Sequence, residues 1–202
     1  MNSHNAVLLR NAHQVLDTLL LSGVQGVICG GFARDVQYHH NAKDIDIAIG
    51  CADMSVSDLA DVVELLDSRY SCKVYWTGEE VDGEQLDDPR DPSKKASEPT
   101  EKDHKVLLVV SLRNLDVDLV FYNVENDATT LVEQHDCNLN QFVMAGSTPV
   151  FLGLFHPDKH GLRITKEGLH PDRISYMERK WEAFNPTEQP VQDDFDKFLD
   201  SL

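Results

Sequence analysis

The stretch Gly26-Val27-Ile28-Cys29-Gly30-Gly31-Phe32-Ala33-Arg34-Asp35, followed eight residues later by Lys43-Asp44-Ile45-Asp46-Ile47-Ala48-Ile49, decides the fold. A glycine pair at the end of a strand lets backbone approach a phosphate closely. Asp44 and Asp46 are two residues apart on an apolar run. Side chains of a strand alternate with period two, so both aspartates point to one face and Ile45 and Ile47 to the other. Oxygen ligands side by side are what Mg²⁺ prefers. One short segment therefore offers a phosphate cradle and half of a metal site.

The same device recurs downstream in Leu115-Asp116-Val117-Asp118-Leu119-Val120-Phe121. Carboxylates on neighbouring strands repel each other unless a cation lies between them. Three of them can hold two Mg²⁺ ions about 3.5–4 Å apart, the arrangement of in-line phosphoryl and nucleotidyl displacement. Either pair of aspartates alone is weak, because exposed strands often carry two acids. The glycine pair and both aspartate pairs, in this order and separated by strands, make a much more specific signal.

Working outward, residues 5–22 read as a helix, with Leu9, Ala12, Val15, Leu16, Leu19 and Leu20 at three- and four-residue spacing and Gly23 as the stop. Val24–Cys29 reads as a strand, Phe32 to about His40 as a short helix, and Asp44–Ile49 as a second strand. Ser55 or Ser57 can cap a helix running to about Ser68. Cys72–Trp76, Val106–Ser111 and Leu115–Phe121 read as strands, the last two joined by a turn at Arg113-Asn114. Ala128–Glu133 looks helical. Val150–Phe155 has strand character and is expected to pair with Leu162–Ile164. Pro171 to about Phe184 reads as a helix, and the tail from Asp193 to Leu202 sets Phe195, Phe198, Leu199 and Leu202 on one helical face.

Between Glu79 and Lys105 the composition changes: ten acidic residues, five Lys or Arg, three prolines and no aromatic. Such a span buries little surface and is expected to be an acidic mobile loop or hairpin extension. Over the 202 residues, 18 Lys and Arg face 35 Asp and Glu, a formal charge of −17. That surface disfavours a large nucleic-acid partner on charge alone. The positive charge that exists is concentrated late, in Arg163, Lys166, Arg173, Arg179 and Lys180. It serves either as a solvated helix face or as a phosphate-contacting wall. Four scattered cysteines without a C-x-x-C fit reduced thiols in the cytoplasm. No basic leader and no apolar run of 18 residues is present, so no membrane association is expected. His39-His40 and His156-x₃-His160 could suggest zinc, but Pro157 lies inside the second pair and no cysteine joins either, so metal binding by histidine is not expected.

The order Gly30-Gly31-Phe32-Ala33-Arg34-Asp35, then Asp44-Ile45-Asp46-Ile47, then an apolar strand carrying aspartate resembles the nucleotidyltransferase fold of the DNA polymerase β superfamily. It is most similar to the head domain of CCA-adding enzymes and bacterial poly(A) polymerases, which read G-G-x-V-R-D and then D-[IF]-D. Asp136-Cys137-Asn138-Leu139-Asn140-Gln141-Phe142 is similar to their D-F-T-I-N-A-L stretch, so the resemblance covers roughly residues 20–142. It implies an α/β (α+β) fold, a short mixed sheet with helices packed on one side. It implies a nucleotidyltransferase domain over 1–150, completed by a helical or tail extension over 151–202.

By the resemblance, Asp44, Asp46 and Asp118 are the catalytic, metal-binding carboxylates, with Asp118 as general base and Asp116 in reserve. Gly30 and Gly31 receive the β- and γ-phosphates through amides at a helix start. Arg34 either holds phosphate or braces the loop against Asp35. Asp136 and Asn140 lie near the nucleotide or cap their own turn. The cofactors implied are two Mg²⁺ ions, with Mn²⁺ able to substitute, and an NTP such as ATP is the substrate. The chain departs from the tRNA-terminal enzymes in two ways. Gln134 and His135 stand in place of Arg-Arg, and no E-D-x-x-R motif is present. A compact enzyme is expected, moving NMP to an RNA or tRNA 3′ end, a protein side chain or a small molecule. The alternatives are a minimal nucleotidyltransferase of toxin–antitoxin type acting on tRNA or a partner protein, and a non-catalytic nucleotide-binding module. The tail stripe could join two copies in a homo-oligomer.

Overall fold

The computed structural model describes residues 1–76, 80–81, 84–85 and 105–185. Helix α1 (Ser3–Leu20) starts at Asn2, whose side chain accepts the Asn5 N–H, and buries a stripe of Leu8, Leu9, Ala12, Val15 and Leu19. Strand β1 (Val27–Cys29) passes through Gly30 into α2 (Gly31–Gln37). Next come β2 (Ile45–Gly50), α3 (Val56–Arg69) and β3 (Cys72–Trp76). A reciprocal Ser55–Asp58 capping box opens α3. A small antiparallel pair, β4 (Glu80–Val81) and β5 (Glu84–Gln85), precedes β6 (Val106–Leu112) and β7 (Val117–Tyr122). The chain continues through α4 (Ala128–Val132), a 3₁₀ turn at Asn138–Asn140, β8 (Phe142–Ala145), β9 (Thr148–Phe151), α5 (Pro157–His160) and α6 (Pro171–Phe184).

Seven strands form one mixed sheet in the order β3-β6-β7-β2-β1-β8-β9. Its neighbours run antiparallel except β2 and β7, which are parallel. The apolar half of each alternating strand makes the core. Ile45, Ile47 and Ile49 of β2 and Val117, Leu119 and Phe121 of β7 are buried with residues of α1, α2 and α3. Each such side chain contributes about 1.5–3 kcal/mol by leaving water. The other face carries Cys29, Ala48 and Val143, which pack with Leu131 and Val132 of short α4. The fold is α+β, with the three long-range helical contributions on one side and α4 covering part of the other.

A third cluster fastens α6 to this frame. Met177 is buried with Cys137 and Leu139, and Tyr38, Trp181 and Phe184 pack against them. The Tyr38 and Phe184 rings stack at 4.7 Å and 9°.

The strand expected at Val150–Phe155 is placed differently. Thr148–Phe151 pairs with Phe142–Ala145 across a turn at Gly146, where φ is +62°. Leu162–Ile164 forms no strand, although Ile164 makes a single bridge to Cys137. The Asp193–Leu202 tail and most of the acidic 79–105 segment lie outside the described residues. No described helix is long and apolar enough to cross a membrane.

Candidate active site

The parallel pairing of β2 with β7 sets Asp46 directly beside Asp118. Adjacent strands lie about 4.8 Å apart, so the two carboxylates share one patch of the open face. The row continues in register on both sides: Cys29 is paired with Asp46, Ser111 with Asp118, and Lys73 with Ser111. Asp44 precedes β2 by one residue and is half-exposed, its carboxylate 3.7 Å from the Lys43 ammonium. Asp116 stands in the β6–β7 turn with φ +54°, and its carbonyl accepts the Ile45 N–H.

The electrostatics of this row are unbalanced. Burial pushes the Asp46 carboxyl up from 3.8 to about 7, and the charges of Asp44 and Asp118 push the same way. The positive charges of Arg34 and Arg173 oppose this without cancelling it. A divalent cation would reverse the imbalance, since it favours every ionised carboxylate near it. Among the described residues, no three His, Cys, Asp or Glu side chains are gathered as a ready-made metal site. The donor chemistry of Asp46 and Asp118 nonetheless fits Mg²⁺: hard oxygens, paired in register and short of positive charge.

β1 runs antiparallel to β2, so its end at Cys29 delivers Gly30 and Gly31 beside Asp46. Gly30 has φ +77° and ψ −133°, a conformation only glycine adopts readily. A Cβ there would meet the His135 ring at 2.9 Å. Contrary to expectation, the Gly30 N–H is already spent, donating to the Phe142 carbonyl at 3.0 Å. The amides that helix geometry leaves without an intrahelical acceptor are those of Gly31, Phe32 and Ala33.

Arg34, 5% exposed, is turned into the protein. Its Nε donates to Asp35 Oδ1 at 2.8 Å and its Nη1 to Asn140 Oδ1 at 2.7 Å. Of the two uses open to it, the structure shows the bracing one. Asn140 Nδ2 in turn donates to Asp136 Oδ1 at 2.9 Å, and Asp136 accepts a short hydrogen bond from Arg173 Nε of α6. Lys180, about two turns further along α6, lies 3.7 Å from Asp35. Burial would raise the Asp136 carboxyl, but the Arg173 and Asn140 hydrogen bonds and the Arg173 charge hold it below its ordinary value. Asp35, Arg34, Asn140, Asp136 and Arg173 thus form one chain of charge-assisted contacts from α2 to α6.

Of the late cations, Arg173 and Lys180 join this chain, while Arg163 lies over the Phe155 ring at 4.4 Å. His156 and His170 cap helices through their Nδ1 atoms, accepting from Asp158 N and Asp172 N.

Two neighbours of the site escaped the sequence reading. Cys29 Sγ lies 3.3 Å from His135 Nε2. Burial and the Asp46 charge push the Cys29 thiol to about 12, and burial with nearby cations pulls His135 down to about 4, so both are neutral near pH 7. The signals were Cys29 at the strand end and His135 in place of a cation. Nothing in the sequence said that the two would meet.

No protein-family model and no curated protein matches the chain. One solved structure, a tRNA-processing enzyme in its apo form I, superposes with a TM-score of 0.39 at 14% identity. The match covers 78% of this chain and 32% of that one, so the chain spans about a third of that protein's length. At that distance the likeness says nothing about activity.

Proposed function

We propose that the protein is a metal-dependent nucleotidyltransferase that moves NMP from an NTP to an acceptor hydroxyl and releases pyrophosphate. The observation that carries the reading is the side-by-side placement of Asp46 and Asp118, short of positive charge, against the Gly30-Gly31 turn. The order of these motifs along the chain supports it independently.

In this reading Asp46 and Asp118, joined by Asp44, hold Mg²⁺. The metal would supply Lewis-acid stabilisation of the phosphates and a lower pKa for the attacking hydroxyl. The free amides at the start of α2 receive the terminal phosphates, and Arg173 and Lys180 supply positive charge from the α6 side. Arg34 acts at one remove, holding α2 to Asn140. Asp118 accepts the proton of the acceptor hydroxyl as its oxygen bonds to the α-phosphorus. The bond from the α-phosphorus to the bridging oxygen then breaks, and pyrophosphate leaves with that electron pair. The acceptor is an RNA 3′ end, a protein hydroxyl or a small molecule.

Calorimetry with a non-hydrolysable NTP, with and without Mg²⁺, tests this. Binding should require Mg²⁺ and be lost in the double variant Asp44→Ala, Asp46→Ala. Metal-independent binding that survives in that variant would sink the catalytic reading and favour a nucleotide-binding module.

A further inference from the structure

We propose that the cavity between α4 and the segments after β9 binds a small heteroaromatic ring bearing an N–H donor. This inference is independent of nucleotidyl transfer, and none of Asp44, Asp46 and Asp118 lines the cavity. It measures about 480 Å³, within the range of small-molecule sites. Gln141 lines it while only 7% exposed. Its Nε2 makes one long hydrogen bond, 3.4 Å to the Val132 carbonyl, and its Oε1 accepts none among the described residues. A buried acceptor without a partner costs stability unless something fills the need. Gly153 packs against that oxygen and leaves no space for a side chain: a Cβ there would sit 2.1 Å from Oε1. Part of the wall is apolar, formed by Leu154, Phe155 and Ile164, which are 89%, 41% and 37% exposed, and Thr129, Glu133 and Thr165 line the rest. Arg163 lies over the Phe155 ring at 4.4 Å and adds a cationic face to the wall. The apolar part of the wall takes the face of a flat ring, a guanidinium favours an electron-rich one, and the Gln141 acceptor, with the Glu133 carboxylate also on the wall, favours a donor on its edge.

The test uses the full chain and two probes, indole and 1-methylindole, titrated while the backbone amide resonances of Gly153, Leu154 and Thr165 are followed by NMR. Indole should shift them and bind about tenfold more tightly than 1-methylindole, whose donor is gone. Gln141→Leu should erase that difference. Leu154→Asp, at a side chain too exposed to matter for folding, should weaken both probes. Unmoved amides, equal binding of the two probes to the wild-type protein, or binding unchanged by Leu154→Asp would each overturn the proposal. Should Gln141→Leu fail to fold, the two probes and Leu154→Asp decide it alone.

Discussion

Replacing Asp46 with Asn should stabilise the protein at pH 8 in the absence of divalent cations. The Asp46 carboxyl is raised from 3.8 to about 7 by burial and by the charges of Asp44 and Asp118. Between those two values the folded protein holds a proton that the unfolded chain has released. Stability therefore falls as pH rises through this window, and the loss is complete above about pH 7. About three units at roughly 1.4 kcal/mol each set a ceiling near 4 kcal/mol, and local relaxation brings the expected gain for Asp46→Asn to about 2 kcal/mol. Urea denaturation of both proteins at pH 5 and pH 8 in EDTA measures it. Subtracting the two curves removes the pH dependence of the rest of this acidic chain. The difference should be larger at pH 8 than at pH 5. Added Mg²⁺ should stabilise the wild type by mass action and leave the variant nearly unmoved. A variant less stable than wild type at pH 8 in EDTA would refute the reasoning, because the row would then hold no uncompensated charge.

Three other substitutions probe the surroundings. Gly30→Ala should cost at least about 2 kcal/mol, from the backbone conformation and the 2.9 Å approach to His135, and His135→Ala should recover only part of it in chemical denaturation. In a steady-state transfer assay, Asp118→Asn should abolish transfer while leaving NTP binding by calorimetry largely intact, whereas Asp116→Asn, at a turn position that asparagine tolerates, should be mild. Arg173→Ala should weaken NTP binding in calorimetry and destabilise the protein by about 1–3 kcal/mol, since Asp136 loses its charge-assisted partner.

The central strands were legible because alternation is a strong code when one face is buried. Ile45-Asp46-Ile47 and Val117-Asp118-Leu119 can sit only one way on a core. Their mutual register was not legible, because β2 and β7 pair in parallel across more than sixty residues of intervening chain. The β8–β9 hairpin was missed although Gly146-Ser147 marks its turn. Proline within a run argues against a strand, but Pro149 is tolerated because β9 lies at the sheet edge, where one side needs no donor. Arg173 was visible as a cation on a helix. Its pairing with Asp136 depends on how α6 docks through Met177 and Phe184, and side-chain packing of that kind leaves no periodic trace.

Label transfer tests the central claim most directly. The protein is incubated with each α-labelled NTP, Mg²⁺ or Mn²⁺ and a cell extract, beside Asp46→Asn and Asp118→Asn variants. Nucleotidyl transfer predicts that label from at least one NTP appears on an acceptor with the wild-type protein and metal, and with neither variant. Label that persists in both variants, or a wild-type protein that labels nothing with any NTP and either metal, would contradict the account.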